Sequence, residues 1–173
     1  KHTAECVPVR IETPAEVVLP MNMHMGHDAE PIVSVGDHVK VGQLIAREEG
    51  RFASPVHATI SGTVVEIAPM ETANGKGTPA IRIESDGKME KADTVTPPVI
   101  TDCQSFLQAV RDSGLVGLGG AAFPVWAKLN EATNPDYKVD TVLINAAECE
   151  PYITSDHRMM LDHPDLIADG IEY

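Results

Sequence analysis

The chain has 173 residues, 43% of them hydrophobic, enough for one large or two small domains with packed cores. A formal net charge of −13 with no basic cluster opposes nonspecific attachment to nucleic acid or to an anionic membrane face, and leaves small molecules and proteins as partners. No apolar run approaches the ~20 residues of a membrane-spanning helix, and the opening KHTAEC lacks a signal-peptide profile, so the chain reads as soluble and cytoplasmic.

Residues 1 to about 96 read as all-β. Val7–Ile11 and Glu16–Leu19 are short β-favouring runs broken at Pro14 and Pro20. Turn signals follow at Gly36-Asp37, Ser61-Gly62, Asn74-Gly75 and Asp86-Gly87. In Val33–Ala46 the apolar set is Val39, Val41 and Leu44; in Ser54–Ile67 it is Val64, Val65 and Ile67, each set beside a glycine turn. The segment MNMHMGHDAEP holds His24 and His27, with Met21, Met23 and Met25 alternating; it reads as loop histidines and as methionines on a strand face or filling the packing, not as a soft-metal site. Two histidines three apart can share a face of a helix and His57 is a candidate to join them, but no helix is signalled and spacing places no third ligand, so no metal site is assigned. Cys6, Cys103 and Cys149 are too dispersed for a C-x-x-C site or a disulfide framework, and reduced thiols are expected.

Thr96-Pro97-Pro98 forces extended backbone and marks a domain boundary. Thr101-x-x-Gln104 fits a capping box opening an amphipathic helix with Phe106, Leu107 and Val110 on one stripe, ended by Gly114. The stretch GLVGLGGAAFPVWAK (Gly114–Lys128) then reads as a phosphate cradle: Gly114, Gly117, Gly119 and Gly120 permit φ > 0 and close approach of a ligand, and Pro124 can open a helix. Thr141–Asn145 reads as a buried strand delivering AAECEPY, where Glu148 and Glu150 straddle a packed Cys149. Helices are expected around Asp156–Leu161 and from Pro164, the last without a stop signal, so the sequence reads as a fragment. The alternation of helix and strand argues for the opening of an α/β domain, whose ligands gather at strand carboxyl ends and helix amino termini.

The glycine motifs of residues 33–67 resemble the barrel-sandwich hybrid of biotinyl and lipoyl domains. A carrier of that kind displays a lysine at the hairpin tip. The tip here falls near Glu48-Glu49-Gly50-Arg51, without one, and Lys76 lies in a different turn, so the domain reads as a non-carrier scaffold.

Taken together, LPMNMHMGHDAEPIVSVGDHVKVGQ, SPVHATISGTV, GLVGLGGAAFPVWAK and INAAECEP resemble the RnfC subunit family of ion-translocating ferredoxin:NAD oxidoreductases over nearly the whole chain. From Gly114 onward the sequence is also similar, more distantly, to the flavin- and NADH-binding subunit of respiratory complex I. The resemblance implies an α+β multidomain fold: a barrel-sandwich hybrid over residues 1–96, then the first part of an FMN- and NADH-binding α/β domain over 97–173. It implies that Gly117, Gly119, Gly120 and Ala121 cradle FMN, Lys128 approaches its phosphate, Phe123 stacks on the adenine of NAD(H), Asn145 meets the flavin, and Glu148 and Glu150 lie by nicotinamide and ribose. The glycines, lysine, aromatic face and carboxylates suit those roles chemically.

The complex I loop pattern has arginines where this chain has Val116 and Leu118, a glycine at Ala122 and an aspartate at Ala147. The cysteine-rich segments that hold 4Fe-4S clusters in the RnfC family are absent from these residues, so clusters are expected elsewhere in a longer protein and the fragment alone is expected to be inactive. The implied function is that of an NADH-linked oxidoreductase subunit passing electrons between NADH, flavin and clusters. Its partners would be the other subunits of a membrane complex, which it would meet as a peripheral protein on the inner face. The alternatives are a soluble RnfC-like carrier for an amino-acid reductase and a non-catalytic docking module.

Overall fold

The computed structural model describes residues 2–47, 49–52, 54–72, 75 and 77–172. The chain divides into two compact units, Glu12–Asn134 and a smaller one made of Lys1–Ile11 with Pro135–Tyr173. Glu48 of the hairpin tip, and Asn74 and Lys76 of the later turn, lie outside the described residues.

The larger unit is built on two antiparallel sheets. Strands β1 (Glu16–Pro20), β2 (Glu30–Pro31), β3 (His38–Val39), β4 (Leu44–Arg47), β5 (Val56–His57), β6 (Gly62–Glu71) and β7 (Gly77–Ser85) are arranged as a four-stranded sheet, β1-β7-β6-β3, and a three-stranded sheet, β2-β4-β5. The apolar alternation is what closes them on one another. Leu19 of β1, Val39 of β3, Ile45 of β4, Val56 of β5, Val64 of β6 and Ile81 and Ile83 of β7 share one buried cluster with Met21 and Ile60. Each such side chain contributes about 1.5–3 kcal/mol through burial.

Among the expected apolar positions, Val41 and Leu44 are only half-buried, Ile45 taking the core place beside Leu44, and Val65 points outward, 36% exposed. The β6–β7 register shifts between Val64 and Glu66, and this bulge moves the inward parity from Val64 to Ile67. Of the expected turns, Gly36, Gly75 and Gly87 have positive φ, and Asp37 accepts the Ser34 N–H at 2.8 Å. Gly62, at φ 159, opens β6 instead of a turn: a Cβ there would sit 1.9 Å from the Glu84 carbonyl oxygen, so the glycine is required by strand packing. Met21 is fully buried while Met23 and Met25 are exposed, in a turn segment and not on a strand face.

Two helices complete this unit, α1 (Cys103–Asp112) and α2 (Val125–Ala132). The capping box of α1 is one residue later than the sequence suggests. Asp102 accepts the Ser105 N–H at 2.7 Å, and the Ser105 hydroxyl takes the Asp102 N–H at 3.0 Å. A carboxylate at the N-cap also meets the positive end of the helix, which favours Asp102 over Thr101. Arg111 lies 4.7 Å over the Trp126 ring and joins the two helices.

In the smaller unit, helices α3 (Ser155–Asp162) and α4 (Pro164–Glu172) stand where the sequence places them. The buried strand expected at Thr141–Asn145 is not formed, and the segment is exposed, Val142 by 69% and Leu143 by 88%. Strand structure needs a neighbour to take its N–H and C=O groups, and no described segment pairs with these residues. The same applies to Val7–Ile11, which is exposed and outside any sheet. Residues near the start are instead tied to 152–154: the Thr3 hydroxyl donates to the Tyr152 carbonyl at 2.7 Å, and His2 stacks on the Tyr152 ring.

Candidate flavin and nucleotide site

The glycine stretch is a closed loop between α1 and α2. Ser113 and Gly114 end α1, with Gly114 at φ 71 and its N–H donating to the Arg111 carbonyl. A Cβ at Gly114 would lie 2.6 Å from the Pro55 carbonyl oxygen, so this glycine serves the helix end and its packing, not a ligand. Val116 and Pro124 then form an antiparallel bridge, the Gly117 N–H donates to the Phe123 carbonyl at 2.9 Å, and the Val125 N–H donates to the Leu115 carbonyl at 3.0 Å. Residues 118–122 bulge outward from this neck.

At the tip, Gly119 and Gly120 have no atom within 4 Å of where a Cβ would stand, and Gly117 meets nothing closer than 3.8 Å. None of the three has positive φ; the left-handed residue of the loop is Ala122, at φ 51. Neither backbone conformation nor packing against the described residues demands glycine at 117, 119 or 120. A flat, side-chain-free surface is left, of the shape that close approach of a phosphate requires. Ala121 is exposed beside it. Lys128, in the second turn of α2, is exposed, with no side-chain partner among the described residues. The residues present therefore fit a flavin phosphate.

Phe123 is half-buried, its ring 5.4 Å from that of Phe52 and tilted by 59°. Behind the loop, a cavity of about 150 Å³ is lined by Met23, His24, Ser54, His57, Gly114 and Val116. Within the larger unit His24 is buried, and its Nε2 has no partner among the described residues. Burial pushes the His57 imidazole below its ordinary value, with the Asp112 carboxylate acting in the opposite sense.

Asn145, Glu148 and Glu150 belong to the smaller unit. The Asn145 side chain accepts the Ala147 N–H at 3.0 Å and lines a cavity of about 170 Å³ with Ala146, Asp156, Met159 and Met160. Glu148 is half-buried and accepts the His157 N–H at 3.0 Å, capping the start of α3 where the N-cap Thr154 makes no side-chain bond to the helix, its hydroxyl donating to the Thr3 carbonyl instead. Glu150 is exposed. Cys149 is exposed too, against the expectation of a packed residue, because on an unpaired segment it has no second layer to enter. The larger unit thus gathers Gly117, Gly119, Gly120, Ala121, Phe123 and Lys128, and the smaller unit gathers Asn145, Glu148 and Glu150.

Sequence reasoning misses the barrel residues that touch the loop, Met25, Phe52, Ser54 and His57. Such contacts span about 60 residues and more, and no spacing rule encodes them. The available signal is compositional: the chain has three phenylalanines, and Phe52 stands in a turn where polar residues are usual.

Residues 1–88 match the RnfC barrel sandwich hybrid domain, and residues 110–173 match the Nuo51 FMN-binding domain. The chain belongs to the RnfC family. It is 39% identical over 166 residues to the C subunit of the Na(+)-translocating ferredoxin:NAD(+) oxidoreductase complex of Acetobacterium woodii, covering 92% of this chain and 36% of that protein. It is also 39% identical over 176 residues to the proton-translocating counterpart of Clostridium ljungdahlii, with 99% of this chain and 38% of the relative covered. With the C subunit of the ion-translocating oxidoreductase complex of Rhodobacter capsulatus it shares 40% identity over 177 residues, 99% of this chain and 34% of the relative. The chain spans roughly a third of the length of these RnfC relatives. The RnfC fold is the expected one, a barrel-sandwich hybrid joined to part of an FMN-binding domain in a mixed α+β chain. No helix among the described residues is long and apolar enough to cross a membrane.

Proposed function

We propose that this chain is the N-terminal part of an electron-transfer subunit that passes electrons between NADH, flavin and iron–sulfur clusters in an ion-translocating ferredoxin:NAD oxidoreductase. The barrel-sandwich hybrid would occupy residues 1–96 and the opening of the flavin domain 97–173. Such a subunit would lie on the inner face of the membrane through partner subunits, with its 4Fe-4S clusters outside these residues. The observation that carries the reading is the bare tip of the loop, where no neighbour among the described residues and no positive φ accounts for Gly117, Gly119 and Gly120.

FMN bound there would accept a hydride from NADH and release electrons one at a time. The loop backbone would lie against the flavin phosphate, and Lys128 would neutralise it from α2. Phe123 would offer an aromatic face to adenine. Asn145 would hydrogen-bond the flavin, and Glu148 and Glu150 would accept ribose hydroxyls and orient the nicotinamide end. The glycine loop supports FMN, and the names of the relatives support NAD(H) as the second ligand.

The test is FMN and NADH binding by the complete, cluster-loaded subunit. Lys128→Ala is expected to weaken FMN about 10- to 100-fold, the size of a lost charge-assisted phosphate contact. Glu150→Gln is expected to raise the KM for NADH while FMN stays bound. If the complete wild-type subunit binds neither ligand, the loop is structural and the chain is a docking module.

A further inference from the structure

The loop that in a carrier domain would display a lysine does something else in this chain. Between β4 and β5 it carries Arg51 and Phe52. Phe52 packs on Phe123 at 5.4 Å between ring centroids, and Arg51 lies 5.4 Å over the Phe52 ring while pairing with Glu131 of α2 at 3.1 Å. A second barrel segment holds the same point from its other side. The Met25 N–H donates to the Ala122 carbonyl at 3.0 Å, next to Phe123 and at the residue with φ 51. The adjacent Gly26, at φ 131, lets the two segments meet: a Cβ there would stand 3.0 Å from the Phe52 carbonyl oxygen and 3.3 Å from its Cβ.

We propose that Phe52 is a positioning residue of the dinucleotide site, and that the barrel's β4–β5 loop and its 21–27 turn together hold Phe123 for stacking on adenine. This rests on the reading of Phe123 given above. The contact concentrates a scarce resource, since two of the chain's three phenylalanines meet in it. It also accounts for the loop without a lysine and for the Met- and Gly-containing turn, neither of which the phosphate cradle uses. Most of the Arg51–Glu131 pair is exposed, so its effect is orientation of the loop and not stability. Phe52 faces Phe123 at a tilt that an aromatic pair favours and an aliphatic residue cannot reproduce.

The experiment uses the complete subunit with its flavin and compares Phe52→Ala, Phe52→Leu, Phe52→Tyr and Phe123→Ala. Three quantities are read: calorimetric affinity for ADP-ribose, which carries the adenine but no nicotinamide; the KM for NADH with ferricyanide as acceptor; and flavin content. Phe52→Ala is expected to weaken ADP-ribose and raise the KM about 3- to 10-fold, the worth of an aromatic pair, with flavin content at the wild-type level and Phe52→Tyr restoring both. Should Phe52→Ala fail to fold, Phe52→Leu keeps the apolar volume and is expected to show the same weakening. Wild-type ADP-ribose affinity in the folded Phe52 variant, alongside weakened binding in Phe123→Ala, overturns the role of Phe52 alone. Wild-type affinity in Phe123→Ala overturns the adenine reading, and this inference with it.

Discussion

Ala122 is the residue at which the loop's geometry is most exposed to test. It takes φ 51 with its carbonyl held by the Met25 N–H, and an L-residue in that region costs about 1–2 kcal/mol. The complex I pattern has glycine at this position, so the conformation is one that glycine adopts freely. Ala122→Gly is therefore expected to stabilise the chain by up to about 1 kcal/mol after the entropy of a more flexible unfolded state is subtracted. Ala122→Val is expected to destabilise it by more than that, because a β-branched residue is worse still at positive φ. Denaturant midpoints of the two variants check both signs. Gly120 makes the opposite argument. Its missing side chain faces open space and its φ is ordinary, so Gly120→Val is expected to leave the melting temperature nearly unchanged while abolishing FMN binding in the complete subunit. Loss of both together would mean that the glycine belongs to the fold.

At the scale of elements, what can be read in the sequence is what local chemistry decides. The helices α1 to α4 follow from helical spacing and their punctuation by Gly114 and Pro124, β1 follows from its β-favouring run and β6 from alternation, whereas β4 buries the adjacent Ile45 and Ala46 in place of the expected Leu44. What cannot be read is what depends on a partner. Thr141–Asn145 has every strand propensity and no described strand beside it; Val65 loses its inward place to a bulge that no pattern announces; Glu148, which reads as a ligand carboxylate, also caps α3. Gly62 is a case where the residue is legible and its reason is not. It reads as a turn, and it is the point where β6 passes against the Glu84 carbonyl. Gly62→Ala is expected to cost about 3 kcal/mol or more, at the upper end of overpacking, whereas Gly36→Ala, at φ 97 but in open space, is expected to cost about 1 kcal/mol. Equal losses would show that backbone conformation, and not the close approach, governs Gly62.

For the molecule as a whole, acid should act on the larger unit in two stages with separable causes. Burial holds the His57 imidazole below 6.5, so above that pH neither folded nor unfolded chains carry the proton and nothing is lost. As pH falls below 6.5 the unfolded chain takes the proton first, and stability declines until the pH reaches the folded value of His57. The Asp112 carboxylate, which favours the charged ring, limits the loss. Asp86 acts lower. Its carboxylate accepts from the Ser61 hydroxyl at 2.6 Å, the Lys88 N–H at 2.9 Å and His38 at 3.0 Å, which bring it from 3.8 down to about 2. That stability is fully present above 3.8 and disappears as pH falls toward about 2. Denaturation of the chain across this range is the measurement. His57→Gln is expected to flatten the decline that begins near 6.5 and leave the lower one, and Asp86→Asn is expected to do the reverse, starting from a lower plateau. Proton NMR of the His57 ring separates the causes directly: a midpoint at or above 6.5 would show that burial does not keep this ring neutral, and the first stage would then have to come from another group.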